Sequence, residues 1–337
     1  MHYLITGHTG FKGAWLTMWL TSLGHKVSGI SLDPIENALF TTASLSELIE
    51  NDLRIDIRNA DETISAIKSI EPDVVFHLAA QPLVRESYLD PRGTIETNAM
   101  GTLNVLEGVS NTESVKAHIV ITTDKVYRNV NQVAGYVESD PLGGDDPYSA
   151  SKAMADILTH SWVTSFPSPP TTIVRAGNVI GGGDVSKDRL LPDLINAYSN
   201  GKVPNLRYPD AVRPWQHVLD CLNGYLMIAD HLLAGNQLPS INIGPDSGSF
   251  KTVLDVANLV AFQLSVEKGW IEDSGENPHE ADLLALDANL AKKNLGWYDK
   301  LKFEEAINWT TEWYKFVNSG VLSKEISLKQ VAKFIKI

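Results

Sequence analysis

The chain has 337 residues, 43% of them hydrophobic and 20% charged, enough to bury a large core in one big domain or two modest ones. A net charge of −13, from 28 basic and 41 acidic residues, argues against a general nucleic-acid binder, and no apolar run approaches the ~20 residues that cross a bilayer. The single cysteine, Cys221, can form neither an internal disulfide nor a cysteine zinc site, and no metal is expected.

Met1-His2-Tyr3-Leu4-Ile5-Thr6-Gly7 opens directly on an apolar run, without a basic leader or a small-residue cleavage site, so the expected location is cytoplasmic and the chain unprocessed. Strands are predicted over residues 3–5, 26–30, 74–78, 118–122 and 172–175, alternating with helices over 14–22, 62–69, 93–107 and 149–165. That alternation is the sequence form of βαβ units around a parallel sheet. Pro167, Pro169 and Pro170 end the last of these helices. Beyond Arg175 the pattern loosens. Residues 178–184 are glycine-rich, 190–200, 254–266 and 288–294 read as helices, and Gly244-Pro245-Asp246-Ser247-Gly248 is turn chemistry. The neighbours of Cys221 read as helix, which makes it a buried structural thiol.

Gly7-His8-Thr9-Gly10-Phe11-Lys12-Gly13 joins the first strand to the first helix. A G-x-x-G-x-x-G loop at such a junction gives the tight turn, close backbone approach and helix N-terminus that a dinucleotide pyrophosphate needs. Gly7, Thr9, Gly10, Phe11 and Lys12 are its candidate cofactor contacts. Asp33 ends the second strand, where a carboxylate accepts from a ribose diol and repels a 2′-phosphate, favouring NAD over NADP; a turn aspartate before Pro34 is the other reading. Asp56 and Ile57 stand where an adenine ring would lie, or in a bare loop. His77-Leu78-Ala79-Ala80-Gln81 ends the strand over 74–78 with small residues that allow a cofactor close to the backbone, unless it is merely a buried strand end.

Tyr148-Ser149-Ala150-Ser151-Lys152 sets a tyrosine and a lysine at i and i+4 on one helix face. A phenol of pKa ~10 is ionised in only about one molecule in a thousand at neutral pH, so a neighbouring ammonium is needed to make it a base. Upstream, Thr122-Thr123-Asp124-Lys125 closes a sheet strand.

Taken together, the glycine loop, His77–Gln81, Thr123-Asp124-Lys125 and Tyr148–Lys152 resemble the extended short-chain dehydrogenase/reductases that act on nucleotide sugars. Longer runs resemble the CDP-glucose 4,6-dehydratases among them. These are the glycine loop itself, Pro141-Leu142-Gly143-Gly144, Arg175-Ala176-Gly177-Asn178-Val179-Ile180-Gly181-Gly182-Gly183-Asp184 and Ala211-Val212-Arg213-Pro214-Trp215-Gln216-His217-Val218, continued by Pro278-His279-Glu280-Ala281 and Leu295-Gly296-Trp297. The resemblance implies an α/β fold: a Rossmann-type doubly wound parallel sheet with a smaller C-terminal substrate-binding lobe. The NAD domain would span 1–175 plus about 212–243, and the nucleotide-sugar lobe about 176–211 plus 244–337. It implies an NAD-dependent hydro-lyase of deoxysugar and O-antigen biosynthesis that oxidises C4, eliminates water across C5 and C6, and returns hydride to C6.

In that scheme Tyr148 is the C4 base, Lys152 holds it and the nicotinamide ribose, and Thr123 bonds the C4 oxygen. Asp124 is the acid for the departing C6 hydroxyl, its pKa raised by burial. Lys125 is the C5 base, which at pH 7 requires its pKa to fall by about 3 units, ~4 kcal/mol. Thr122 and Asn98 would lie beside the cofactor, with a helix-interior polar residue the equal alternative for Asn98. Asn178, Arg189, Arg213, Trp215 and His217 would contact the nucleotide-diphosphate hexose, with core packing the equal alternative for Trp215 and His217. A homodimer or dimer of dimers is implied, pairing helices 93–107 and 149–165, with no nucleic-acid or membrane partner.

The chain departs from the subfamily at Val185, where a tryptophan is expected, at Leu283 and Ala285, in place of tyrosine and lysine, and over 129–135, which lacks tryptophan. These changes leave the reaction type intact and bear on the nucleotide and sugar. A 4-epimerase or 4-keto reductase of the same fold is a second reading, against which the Asp124-Lys125 pair speaks; a non-catalytic nucleotide-sugar binder is a third.

Overall fold

The computed structural model describes residues 1–266, 269–273, 275 and 283–337. Six strands enter the main sheet in turn: β1 His2–Thr6, β2 Lys26–Ser31, β3 Asn51–Arg54, β4 Val74–His77, β5 Ala117–Ile121 and β6 Thr171–Ala176. With the edge strand Ser240–Ile243 they run in the order β3-β2-β1-β4-β5-β6-edge, every pair parallel. β4 and β5 are buried along their whole length because helices cover both faces, which is why they are mostly apolar, with His77 and His118 the buried polar exceptions. The order reverses between β1 and β4, opening the crevice at their carboxyl ends where doubly wound folds bind ligands.

Helix Phe11–Ser22 is buried all round, from Gly13 to Leu20. One side lies on the sheet. The other meets the last helix, Ser323–Ile335, with the Trp19 and Phe334 rings edge-to-face at 5.6 Å. Trp15 Nε1 donates to the Gly182 carbonyl at 2.9 Å, and the Trp313 ring, on helix Phe303–Asn318, fills the space a Gly182 side chain would take. The expected boundary at 244 is therefore crossed by packing: the two C-terminal helices lean on the sheet layer. The smaller lobe is built from helices Leu190–Ser199 and Val253–Gln263 and short strand pairs, among them Val212–Pro214 with Phe250–Thr252. Cys221 is buried in helix Val218–Leu233, as its neighbours suggested. Among the described residues no helix is long and apolar enough to cross a membrane.

The helix expected over 93–107 is broken in register. An α segment Pro91–Ile95 passes into a π turn Glu96–Met100 before Gly101–Ser110 resumes the α form. The turn carries Asn98. Its Oδ1 accepts from the Gln81 N–H at 2.8 Å, while its Nδ2 donates to the Gln81 carbonyl at 3.0 Å and to Ser151 Oγ at 2.8 Å.

Candidate active site

The glycine loop is shaped by contacts that leave no room for side chains. A Cβ on Gly7, which holds φ +76°, would sit 2.7 Å from the Ala79 nitrogen, and one on Gly13 would sit 2.1 Å from the Gly7 carbonyl oxygen. Gly10 caps helix Phe11–Ser22 without a side chain, and no acidic residue stands in its first turn, so the positive helix end faces the crevice. This is a cradle for a dinucleotide diphosphate. The Thr9 hydroxyl ties the loop to the end of β2, bonding Ser31 Oγ at 2.6 Å and the Leu32 carbonyl at 3.1 Å. Asp33 is exposed at that end, 3.4 Å from Arg54 Nε. Asp56 takes both the backbone and the guanidinium of Arg58, which hold its carboxyl below the usual range, the side-chain hydrogen bond first. Ile57 is buried against Gly101, and its carbonyl accepts from Asn104 Nδ2 at 2.8 Å. His77 is locked between Thr6 and Thr102 hydroxyls at 2.7 and 2.9 Å, which aims the following residues, Leu78 and Ala80 among them, along the crevice wall.

A cleft of about 480 Å³ continues from this cradle between the two layers, and Lys12, Thr122, Thr123, Asp124, Lys125, Tyr148 and Lys152 all line it. Helix Pro147–Ser165 starts on Asp146, whose carboxylate accepts from the Ser149 N–H at 2.9 Å, with Pro147 in the first turn. Tyr148 and Lys152 follow within that first stretch. Burial pushes the Tyr148 phenol up to about 12, against a hydrogen bond with Thr123 and the charge of Arg189. The Lys152 ammonium donates to the Ile121 carbonyl at 2.7 Å. Burial brings Lys152 itself down to about 7; Lys12 adds to this and Asp156 opposes it. Burial also lowers Lys12, whose ammonium donates to the Tyr225 hydroxyl at 3.2 Å.

Asp124 is 2% exposed. Burial raises its carboxyl above the ordinary range, against the pull of Lys125, Thr123 and Arg213. Its Oδ1 accepts from the Thr123 hydroxyl at 2.9 Å, whereas Oδ2 has no partner among the described residues and lies beside Gly177. Thr122 turns its hydroxyl away, toward Asp156 and the Val174 carbonyl.

Of the expected substrate contacts, Asn178, Arg189, Arg213 and Trp215 line the cleft. Arg189 stands 3.6 Å from Asp184, and Trp215 Nε1 donates to the Lys251 carbonyl at 2.9 Å. His217 lies elsewhere. Its Nδ1 caps helix Val218–Leu233 by accepting from the Leu219 N–H, its ring packs between Trp15 and Trp309, and burial takes it down to about 3. The core reading of His217 is the one its surroundings support. Leu283 and Ala285 belong to the segment whose Leu286 packs with Tyr127 and Tyr136; Pro278-His279-Glu280-Ala281 lies outside the described residues.

Sequence reasoning missed a buried network behind the site. Arg175 grips Asp156 with two bonds of 2.8 Å and donates to the Tyr127 hydroxyl at 2.9 Å and the Glu138 carbonyl at 3.0 Å; the Tyr127 hydroxyl in turn donates to Asn242 Oδ1 at 2.7 Å. The ion pair is almost wholly enclosed and ties helix Pro147–Ser165 to β6 and the Thr122 strand end. It also missed Arg85 and Arg207 on the cleft wall.

A glycine cradle at the switch point of a doubly wound sheet, opening into a cleft with a tyrosine and lysine one helical turn apart, defines the extended short-chain dehydrogenase/reductase class. Within it, residues 4–310 match the family described as GDP-mannose 4,6 dehydratase. A CDP-glucose 4,6-dehydratase of Salmonella typhimurium is 41% identical over 92% of this chain and 89% of its own, and dTDP-glucose 4,6-dehydratase 1 of Escherichia coli is 26% identical over 93% and 92%. Among solved structures, dTDP-glucose 4,6-dehydratase from Bacillus anthracis in complex with NAD superposes with a TM-score of 0.80 at 24% identity, covering 94% of this chain and 96% of that one. UDP-glucuronic acid 4-epimerase from Bacillus cereus gives 0.81 at 23% identity, covering 94% and 100%. The chain belongs to the nucleotide-sugar 4,6-dehydratase family, a family of hydro-lyases.

Proposed function

We propose that the protein is an NAD-dependent 4,6-dehydratase that converts CDP-glucose to CDP-4-keto-6-deoxyglucose and water. The observation that carries the reading is the buried Asp124 carboxyl, one oxygen unpartnered, on the cleft wall that also holds Thr123, Lys125 and Tyr148. An epimerase or reductase has no use for an acid at that place. CDP-glucose is favoured over other nucleotide hexoses by the 41% identical relative of that name.

The tight glycine turn and open helix end at Gly7, Gly10 and Gly13 suit the diphosphate of NAD; Thr9, Phe11 and Lys12 would surround that diphosphate, Asp33 would meet its ribose, Asp56 and Ile57 its adenine, and Leu78, Ala79, Ala80, Gln81, Asn98 and Thr122 would line the rest. When bound it supplies a reversible two-electron acceptor for the sugar C4. The chain's own groups move the protons. Tyr148, with Thr123 on the same oxygen and Lys152 behind, takes the proton of the C4 hydroxyl. Lys125 removes the C5 proton, which a 4-ketone acidifies, as the C6–O bond breaks, and Asp124 gives its proton to the leaving hydroxyl to make water; Lys125 would give a proton back to C5 as the hydride held from C4 is returned to C6. Burial raises that carboxyl, the direction a proton donor needs. Asn178, Arg189, Arg213 and Trp215 hold the nucleotide diphosphate, arginine forks suiting its oxygens.

The same reading assigns the sheet domain to 1–175 plus about 212–243 and the sugar lobe to the rest, with the last two helices bracing both. It makes the protein a cytoplasmic homodimer, paired through helices whose exposed Met100, Met154 and Ile157 supply apolar surface. The test uses CDP-, dTDP-, UDP- and GDP-hexoses deuterated at C4. Deuterium arriving at C6 with loss of water identifies reaction and nucleotide together; inversion at C4 without water loss refutes the dehydratase.

A further inference from the structure

At the mouth of the cleft, phosphate-type side chains are already engaged by a carboxylate of the chain itself. Arg85, on the short helix Val84–Leu89 after β4, and Arg207, next to the two-residue strand Asn205–Leu206, both donate to Asp188 Oδ1, at 3.3 and 3.0 Å. Arg207 Nη2 adds the Asp188 carbonyl at 3.2 Å. Arg85 comes from the sheet layer and Asp188 and Arg207 from the smaller lobe, so one carboxylate spans the opening. Asp188 holds φ +59°, in the left-handed region that aspartate, asparagine and glycine adopt more readily than other residues. All three residues line the cleft and are partly open to water.

Two guanidinium groups converging on one anionic oxygen is the geometry that receives a phosphate. A carboxylate brings one charge to that fork, and a diphosphate brings more charge and more acceptor oxygens. We propose that Asp188 is a resident stand-in for the substrate's diphosphate, filling the fork of Arg85 and Arg207 and being displaced from it when a nucleoside diphosphate enters. The proposal rests on the reading of the cleft as a nucleotide-sugar site and adds the residues that set diphosphate affinity and release. Further carboxylates stand close by: Asp184 beside Arg189, and Asp193, pushed up to about 6 by burial and by Asp188 and Asp184. A displaced Asp188 therefore moves among like charges, which favours its return as product leaves.

Titration calorimetry on the full-length protein tests this with CDP and inorganic pyrophosphate, and with cytidine as the control that lacks a diphosphate. Asp188→Asn and Asp188→Gly both tolerate the left-handed backbone, so the pair separates loss of the carboxylate from loss of fold. Both variants are expected to bind CDP and pyrophosphate about three- to tenfold more tightly, the worth of two partly exposed ion pairs, with cytidine unchanged. Arg207→Met is expected to weaken CDP and pyrophosphate. Unchanged or weaker CDP binding in both Asp188 variants, or an equal gain with cytidine, overturns the proposal. Turnover of CDP-glucose by the unaltered protein is followed alongside. Turnover without a gain in the Asp188 variants sinks the stand-in alone, whereas a gain without turnover of any nucleotide hexose sinks the dehydratase reading and leaves the stand-in.

Discussion

Replacing Arg175 by methionine strips four hydrogen bonds from the buried network at once: two to Asp156, one to Tyr127 and one to the Glu138 carbonyl. Methionine restores most of the volume, so the loss is electrical rather than steric. What remains is the Asp156 carboxylate, 2% exposed, with the Thr122 hydroxyl at 3.3 Å as its remaining side-chain donor among the described residues. Breaking a buried pair from one side costs about 3–5 kcal/mol, chiefly through the stranded charge. Asp156→Leu together with Arg175→Met removes that charge as well. The double variant is therefore expected to lose less than the two single losses added, by about 2 kcal/mol or more. Urea unfolding followed by circular dichroism gives all four corners of the cycle. A single-variant loss below about 1 kcal/mol, or losses that simply add, would refute the assignment of Arg175 and Asp156 as a mutually dependent buried pair.

Gly13→Ala drives a methyl into the Gly7 carbonyl and the His8 backbone, atoms that cannot swing aside, so NAD affinity measured by fluorescence titration is expected to fall more than about tenfold; normal binding would discredit the cradle. Asp124→Asn keeps the shape and loses the acid, so water loss should slow by about 10²–10⁴-fold while C4 oxidation persists as accumulated reduced cofactor; an unchanged rate of water loss removes Asp124 from the reaction. Lys152 titrates near 7 in the folded chain against an ordinary 10.5, burial being the main cause, so folding opposes its charged form. That penalty is full below about pH 7 and fades as pH rises toward 10.5. Lys152→Met should accordingly gain stability over the unaltered, NAD-free chain at pH 6–7 and lose the advantage by pH 10; a gain independent of pH would contradict it.

Much of the sheet could be read from residue order because β1, β4 and β5 are covered on both faces, and a mainly apolar run, interrupted within β5 by His118, is the trace of that burial. β3 left no such trace. Asn51–Arg54 is a polar edge strand whose place is set by pairing with β2, from Ser28 opposite Asn51 to Ser31 opposite Arg54. Ser240–Ile243 is only four residues long and takes its identity from β6. In the site, the i, i+4 spacing drew attention to Tyr148 and Lys152, and the resemblance carried by Thr123-Asp124-Lys125 added Asp124; all three line one cleft. The role of Arg175 was not legible, because its partner lies 19 positions away on another element and nothing local announces a buried charge pair. Arg85 sits in the run Gln81-Pro82-Leu83-Val84-Arg85, where the small residues before it drew the functional reading. His217 shows the reverse. Its neighbours Arg213 and Trp215 do face the cleft, but a two-residue strand turns into a helix there and rotates the imidazole into the core.

The helix that opens on the glycine loop leans on the final helix as much as on the sheet, through Trp19 against Phe334, and the Ser323 hydroxyl reaches Thr42 across 281 positions. During synthesis the first βαβ unit can form early, but its indole side stays wet until a segment about 300 positions further on has emerged. The pocket for the nucleotide coenzyme is thus clamped by a piece made much later, and ribosome-stalled chains lacking that piece should expose tryptophan and bind the coenzyme poorly.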